Sequence, residues 1–185
     1  MMESYGAPER KYHRPEAGLT VTDGRVVAGY ASLFGLKDQG GDVVQKGAYA
    51  ASLARLSTKG ERVKMLWQHD PTQPIGIWDE VREDGQGLWV KGRILTEVEK
   101  GREAAALLTA GAIDGLSIGY RTVKAERDGK GRRLLQELEL WEVSLVTFPM
   151  LPEARVTAKS DTVSDVFREL ASVFEDARRS LAKRG

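Results

Sequence analysis

The 185-residue chain has no cysteine. That removes disulfides, thiolate nucleophiles and cysteine-ligated zinc together, and it agrees with a reducing compartment. Histidine is almost as scarce: His13 and His69 are the two present. No H-x-x-x-H or similar ligand spacing occurs, so no metal is expected. Gly40-Gly41 and the glycines at 129–131 lack the lysine and helix context of a phosphate loop, so no cofactor is expected either. No segment approaches the ~18 consecutive apolar residues of a spanning helix, and residues 1–18 lack the apolar centre of a secretory signal. These absences predict action in a cytoplasm, or inside something assembled there. A net charge of +1 gives no global field toward nucleic acid or an anionic membrane, and neither is an expected partner.

What is present is the mix of a soluble domain, 41% hydrophobic and 30% charged, long enough for one core. Residues 1–17 are polar, with Pro8 and Pro15, and read as a mobile arm. From Leu19 the pattern turns strand-like. Residues 20–22 and 25–34 flank Asp23-Gly24 as a hairpin. A glycine-rich loop (35–41) precedes a short helix over 46–56, with Ala50, Leu53 and Ala54 expected inward. Strands are predicted at 63–69, 75–82 and 87–95, and a helix at 96–109 stopped by Gly111. Two long strands, 116–125 and 134–148, flank a charged loop at 126–132. Pro149 and Pro152 end the sheet region. Apolar residues from Val163 to Leu181 then recur at helical spacing, an amphipathic C-terminal helix over 162–182. The expected domains are an arm at 1–17, a core at 18–159 and a helical tail at 160–185. The fold class is α+β, mainly an antiparallel β-barrel, closed or nearly so, with helices around it.

Chemistry has few places to sit. Nothing in the polar arm holds His13, which reads as a surface histidine. Strand alternation places Val63, Met65, Trp67 and His69 on one face, so His69 ends an apolar row. It is either a core histidine bonded to a backbone carbonyl or a base. Gly115-Leu116-Ser117-Ile118-Gly119 spells G-x-S-x-G. The α/β-hydrolase elbow needs a strand before the serine, a helix after it and a histidine downstream; here a helix precedes, a strand follows and no histidine comes later. Ser117 is therefore either a turn serine or a nucleophile whose flanking glycines let a substrate backbone approach. His69 is the plausible imidazole base for it. Along the last strand, alternation gives Leu138, Leu140, Glu142, Ser144, Val146 and Phe148 one face. Glu142 then interrupts an apolar row, which is costly unless a donor such as His69 meets it. The competing reading is a bulge near Trp141 that turns Glu142 outward. Asp70 points away from the His69 face, and Asp114 reads as a turn residue. A Ser–Lys dyad with Lys64 or Lys91 ranks below Ser–His, because both lysines lie on polar strand faces.

The order of these motifs carries a resemblance. Gly29-Tyr30-Ala31-Ser32-Leu33-Phe34 comes first, then Lys46-Gly47-Ala48-Tyr49, then Leu66-Trp67-Gln68-His69-Asp70. Gly115–Tyr120 and Trp141–Pro149 follow. Each is weak alone, but the succession resembles the prohead (procapsid) maturation proteases of tailed bacteriophages, which are similar in fold to the herpesvirus assemblins, over about residues 19–159. The resemblance implies a helix-surrounded β-barrel and a serine endopeptidase with Ser117 as nucleophile and His69 as base. Assemblins use a second histidine as third member; here Glu142 occupies the comparable strand. The oxyanion donors implied are backbone N–H groups after that strand, at Met150 or Leu151, because Pro149 and Pro152 have none to give. The implied partners are the major capsid protein and its scaffolding region, with self-cleavage and a homodimer in prospect. The implied place is the procapsid in the host cytoplasm. A non-catalytic capsid-assembly or scaffold-binding module on the same fold is the alternative.

Overall fold

The computed structural model describes residues 9–13, 20–22, 24–38 and 40–147. The expected C-terminal helix, and Met150 and Leu151 with it, lie outside the described residues. Strands β1 (Glu9–His13), β2 (Thr20–Thr22), β3 (Val26–Leu33) and β4 (Asp42–Val44) precede helix α1 (Ala50–Lys59). Then come β5 (Lys64–Trp67), β6 (Asp70–Glu83), β7 (Gly87–Ile94), helix α2 (Glu99–Thr109), β8 (Gly115–Arg127) and β9 (Arg133–Val146). Among the described residues, all nine strands join one sheet in the order β1-β8-β9-β5-β6-β7-β3-β2, with β4 also paired to β9. The sheet curls so that β1 and β8 both approach β3. It is a half-barrel, where a closed or nearly closed barrel was expected. It is also mixed: β4 and β5 both run parallel to β9.

Local chemistry explains most boundaries. Gly24 takes φ +65° in the β2–β3 turn, as the Asp-Gly pair predicts. Gly60 and Gly111 adopt left-handed φ just after α1 and α2, the usual helix stop. Strand β4 falls between the expected loop (35–41) and the expected helix (46–56), where no element was expected. Its parallel pairing to β9 is a long-range contact that a three-residue strand does not announce. Helix α1 starts four residues later than expected and turns Ser52 inward, where its hydroxyl accepts the Leu140 N–H at 2.9 Å. Ala50 and Ala54, expected inward, are exposed. In α2 the buried positions are Gly101, Ala104, Ala105 and Leu108. The expected charged loop shrinks to a tight turn, because Asp128 Oδ1 accepts from the N–H groups of Lys130 and Arg132, both at 2.9 Å.

The core lies on one face of the sheet. Leu116, Ile118 and Tyr120 of β8 meet Leu138, Leu140, Val143 and Leu145 of β9, with Met65, Ile75, Trp78 and Val90 behind them. In β9 the core rows change phase. Leu138 and Leu140 point in, and so do Val143 and Leu145. The pairing shows why: Gly119 faces Glu142 and Tyr120 faces Leu140, leaving Trp141 as the extra residue of a β-bulge, 41% exposed. Downstream of the bulge, Glu142 and Ser144 occupy the face opposite the core row. The sequence-derived row that carried Leu138 through to Val146 on one face is therefore corrected by one residue.

Candidate active site

Strand β9 lies between β8 and β5, so residues of both neighbours meet over it. On the face away from the core, Ser117 of β8 sits directly opposite Ser144, and Gly119 opposite Glu142. The missing ingredient is an imidazole, and it arrives by a turn. Strand β5 ends at Trp67, which pairs with Asp70, so Gln68 and His69 form a two-residue hairpin connection. Both have positive φ, 52° and 63°, the sign pattern of a type I′ turn. Side chains other than glycine resist this region by roughly 1–2 kcal/mol each. Such strain persists where the surroundings over-determine it. Here Gln68 N–H donates to Leu145 O at 3.0 Å, the Gln68 amide donates to Thr147 Oγ1 at 2.5 Å, and His69 N–H donates to Ser144 Oγ at 3.1 Å.

The turn changes where His69 points. Strict alternation placed it with Met65 and Trp67; the left-handed pair swings it to the face of Glu142 and Ser144. There the ring Nε2 lies 2.5 Å from Ser117 Oγ, and Nδ1 lies 2.5 Å from Glu142 Oε1. The other carboxylate oxygen, Oε2, accepts from the Ser144 hydroxyl at 2.6 Å. The linear relay Ser117–His69–Glu142 is the arrangement that nucleophilic acyl transfer needs: a hydroxyl, a base to take its proton, and an acceptor that fixes the tautomer. The sequence allows a bulge or a His69 contact as alternatives for Glu142. Both occur. The bulge turns the carboxylate off the core row, and His69 meets it on the far side.

Burial sharpens the chemistry. Ser117 and Ser144 are wholly buried, His69 is 6% exposed and Glu142 8%. Electrostatic contacts gain strength in so poorly solvated a place, and every polar atom there needs a partner. Glycine makes room for one of them. A Cβ on Gly119 would overlap Oε1 and Cδ of Glu142, so the carboxylate occupies space over β8 that only a residue without a side chain leaves open.

The remaining sequence candidates lie elsewhere. Asp70 directs its carboxylate to Thr72, accepting from the Thr72 N–H at 2.8 Å and the Thr72 hydroxyl at 2.7 Å; these bonds hold its pKa below the ordinary value. Lys64 and Lys91 are exposed. The backbone of His13 pairs with Leu116 in the β1–β8 ladder, within the segment read as an arm. Ser144 was missed as a site residue, because it was counted as one member of an apolar row.

Comparison with known proteins identifies the family. A family model described as "Caudovirus prohead serine protease" matches residues 11–169. The prohead protease of Enterobacteria phage HK97 is 30% identical over 156 residues, covering 82% of this chain and 68% of that protein. The capsid polyprotein of Pseudomonas phage PAJU2 is 30% identical over 161 residues, 80% of this chain but 22% of the polyprotein. The solved structure of the bacteriophage T4 capsid assembly protease superposes with a TM-score of 0.60 at 16% identity, covering 75% of this chain and 96% of that one, a likeness of fold. A serine protease family thus spans the curled sheet and the Ser117–His69 contact alike, and the chain belongs to the caudovirus prohead serine proteases.

Proposed function

We propose that the chain matures a capsid by cutting peptide bonds with Ser117 as nucleophile, His69 as general base and then acid, and Glu142 as the orienting carboxylate. The Ser117–His69–Glu142 hydrogen-bond relay carries this reading. Ser117 Oγ attacks the scissile carbonyl carbon while Nε2 takes its proton. The Nδ1–H stays on the ring and donates to the Glu142 carboxylate, which stabilises the imidazolium. That imidazolium then protonates the departing amine, and a water activated by the same Nε2 releases the acyl group. The oxyanion donors in this scheme are the N–H groups of Met150 or Leu151, shortly after Thr147 at the end of the described sheet. Because Ser117 is wholly buried, a scissile bond reaches Oγ only when neighbouring chain moves aside.

The substrate in this reading is the scaffolding region of the major capsid protein, and the enzyme itself, cut inside the procapsid in the host cytoplasm. The names of the relatives support a capsid role: one is a prohead protease and another a capsid polyprotein. In this reading the protease domain takes in residues 18–159 together with β1, which pairs with β8, and the rest of residues 1–17 is an arm. A homodimer fits the resemblance to assemblins. A non-catalytic assembly module is less favoured, because it has no use for a serine, imidazole and carboxylate in register. The test is co-expression of the capsid and scaffold proteins with wild type or Ser117→Ala, read by intact-mass spectrometry. Trimming by wild type alone is expected. Equal trimming by both would remove Ser117 from the chemistry.

A further inference from the structure

Ser144 has a role that the three-residue relay leaves unused. It stands directly across the β8–β9 pair from Ser117 and is wholly buried. Its one proton goes to Glu142 Oε2 at 2.6 Å, and a lone pair takes the His69 N–H at 3.1 Å. Glu142 meanwhile gives Oε1 to Nδ1 of the same histidine. A closed ring results: from the Ser144 hydroxyl to the carboxylate, through the imidazole to the His69 backbone, and back to Ser144. We propose that Ser144 is a positioning residue for peptide hydrolysis, fixing the Glu142 carboxylate and the His69 backbone to each other so that Nε2 stays aimed at Ser117. The proposal rests on the roles given above to Ser117, His69 and Glu142.

The physical case has two halves. A carboxylate anchored by one oxygen swings about its last side-chain torsion, which is broad for an sp³–sp² bond. Anchoring Oε2 as well stops that swing and satisfies a lone pair that burial would leave unpaired. The second half concerns the backbone. His69 holds a left-handed φ of 63°, and it is the N–H of this strained residue that Ser144 accepts. A hydroxyl suits both tasks because it has one donor and two acceptor sites. Alanine would strand the carboxylate oxygen and the backbone N–H together in a buried place.

The test compares wild type with Ser144→Ala in the full chain, using a peptide that spans the cut site mapped in the capsid precursor. A fall in kcat of about 10- to 100-fold is expected, on the scale of other supporting-shell losses, with KM nearly unchanged. The far-downfield proton NMR signal of His69 Nδ1–H should move or broaden in folded protein, which a merely structural serine would not cause. In a Glu142→Gln background the same change should cost much less, because both act through one imidazole. Should Ser144→Ala fail to fold, Ser144→Cys, close in size but a weak donor, carries the same measurements. Unchanged kcat and an unmoved Nδ1–H signal, in a protein that Ser117→Ala still silences, would overturn the role of Ser144 alone. Activity that survives Ser117→Ala would overturn the reading beneath it.

Discussion

Replacing Glu142 by glutamine keeps the side-chain volume and removes the charge, and the surroundings decide which way the amide lies. Two orientations fit. If the amide oxygen takes the place of Oε1, it still accepts from Nδ1–H. The loss is then the difference between a charge-assisted and a neutral hydrogen bond, about 1–2 kcal/mol or about 5- to 30-fold in kcat. If the amide nitrogen takes that place, it donates to Nδ1 and forces the ring proton onto Nε2. That nitrogen then points a proton at Ser117 Oγ and is unable to receive one, a tautomer error that costs about 10⁴-fold in a comparable triad. Ser144 chooses between them. Its hydroxyl donates to Oε2 at 2.6 Å, and keeping that bond puts the amide oxygen at Oε2 and the nitrogen at His69. The expected loss therefore lies toward about 10⁴-fold. The melting temperature should hold or rise, because a buried carboxylate has been exchanged for a neutral isostere. Steady-state hydrolysis of the mapped peptide and thermal unfolding by circular dichroism give both numbers. A kcat within about threefold of wild type would refute the orienting role, since even the milder orientation costs more.

Two other substitutions probe the surroundings. Gly119→Ala drives a methyl into the Glu142 side chain; displacing that buried carboxylate takes it from both His69 and Ser144, so activity should fall sharply and the melting temperature should drop by several degrees, and full activity would show that the Glu142 contact is dispensable. Asp84 tests stability against pH: burial pushes its carboxyl up, but hydrogen bonds from the Gln86 N–H, the Tyr30 hydroxyl, the Gly87 N–H and the Arg82 guanidinium outweigh burial and hold it at about 2, below the ordinary 3.8. A depressed folded-state value means stability that is present above about pH 3.8 and lost as pH falls through about 2. Urea unfolding of Asp84→Asn against wild type should show a gap of about 0.5–1.5 kcal/mol at neutral pH, reduced by solvent screening at this partly exposed turn, that closes between about pH 4 and pH 2; a gap that stays constant would assign the effect to packing.

The strands that carry the site were legible because their apolar residues alternate and their ends are marked by Asp-Gly, glycine or a charged turn. Ser117 was legible from its glycines, and His69 from scarcity. What alternation missed is the phase. One inserted residue, Trp141, moves Glu142 and Ser144 to the other face, and two left-handed residues, Gln68 and His69, do the same for the imidazole. Neither leaves a mark in composition: Trp141 reads as an ordinary strand residue, and Gln-His lacks the Asn-Gly signature of such a turn. The two displacements match, and so the expected partners still meet, on the opposite surface of the sheet. Ser144 was hidden by the same error, since a small serine among leucines passes for core filler. The parallel pairing of β4 and β5 to β9 was invisible for another reason: it joins segments far apart in the chain.

The position of β9 has a consequence for timing. His69 precedes Ser117 by 48 positions and Glu142 by 73, and the strand that joins them is the last of the described sheet to leave the ribosome. A nascent chain that has made its histidine and its serine has not yet made the carboxylate, nor the strand on which the other two are brought face to face. Chain order alone thus withholds the assembled Ser117–His69–Glu142 relay until synthesis of the sheet is complete.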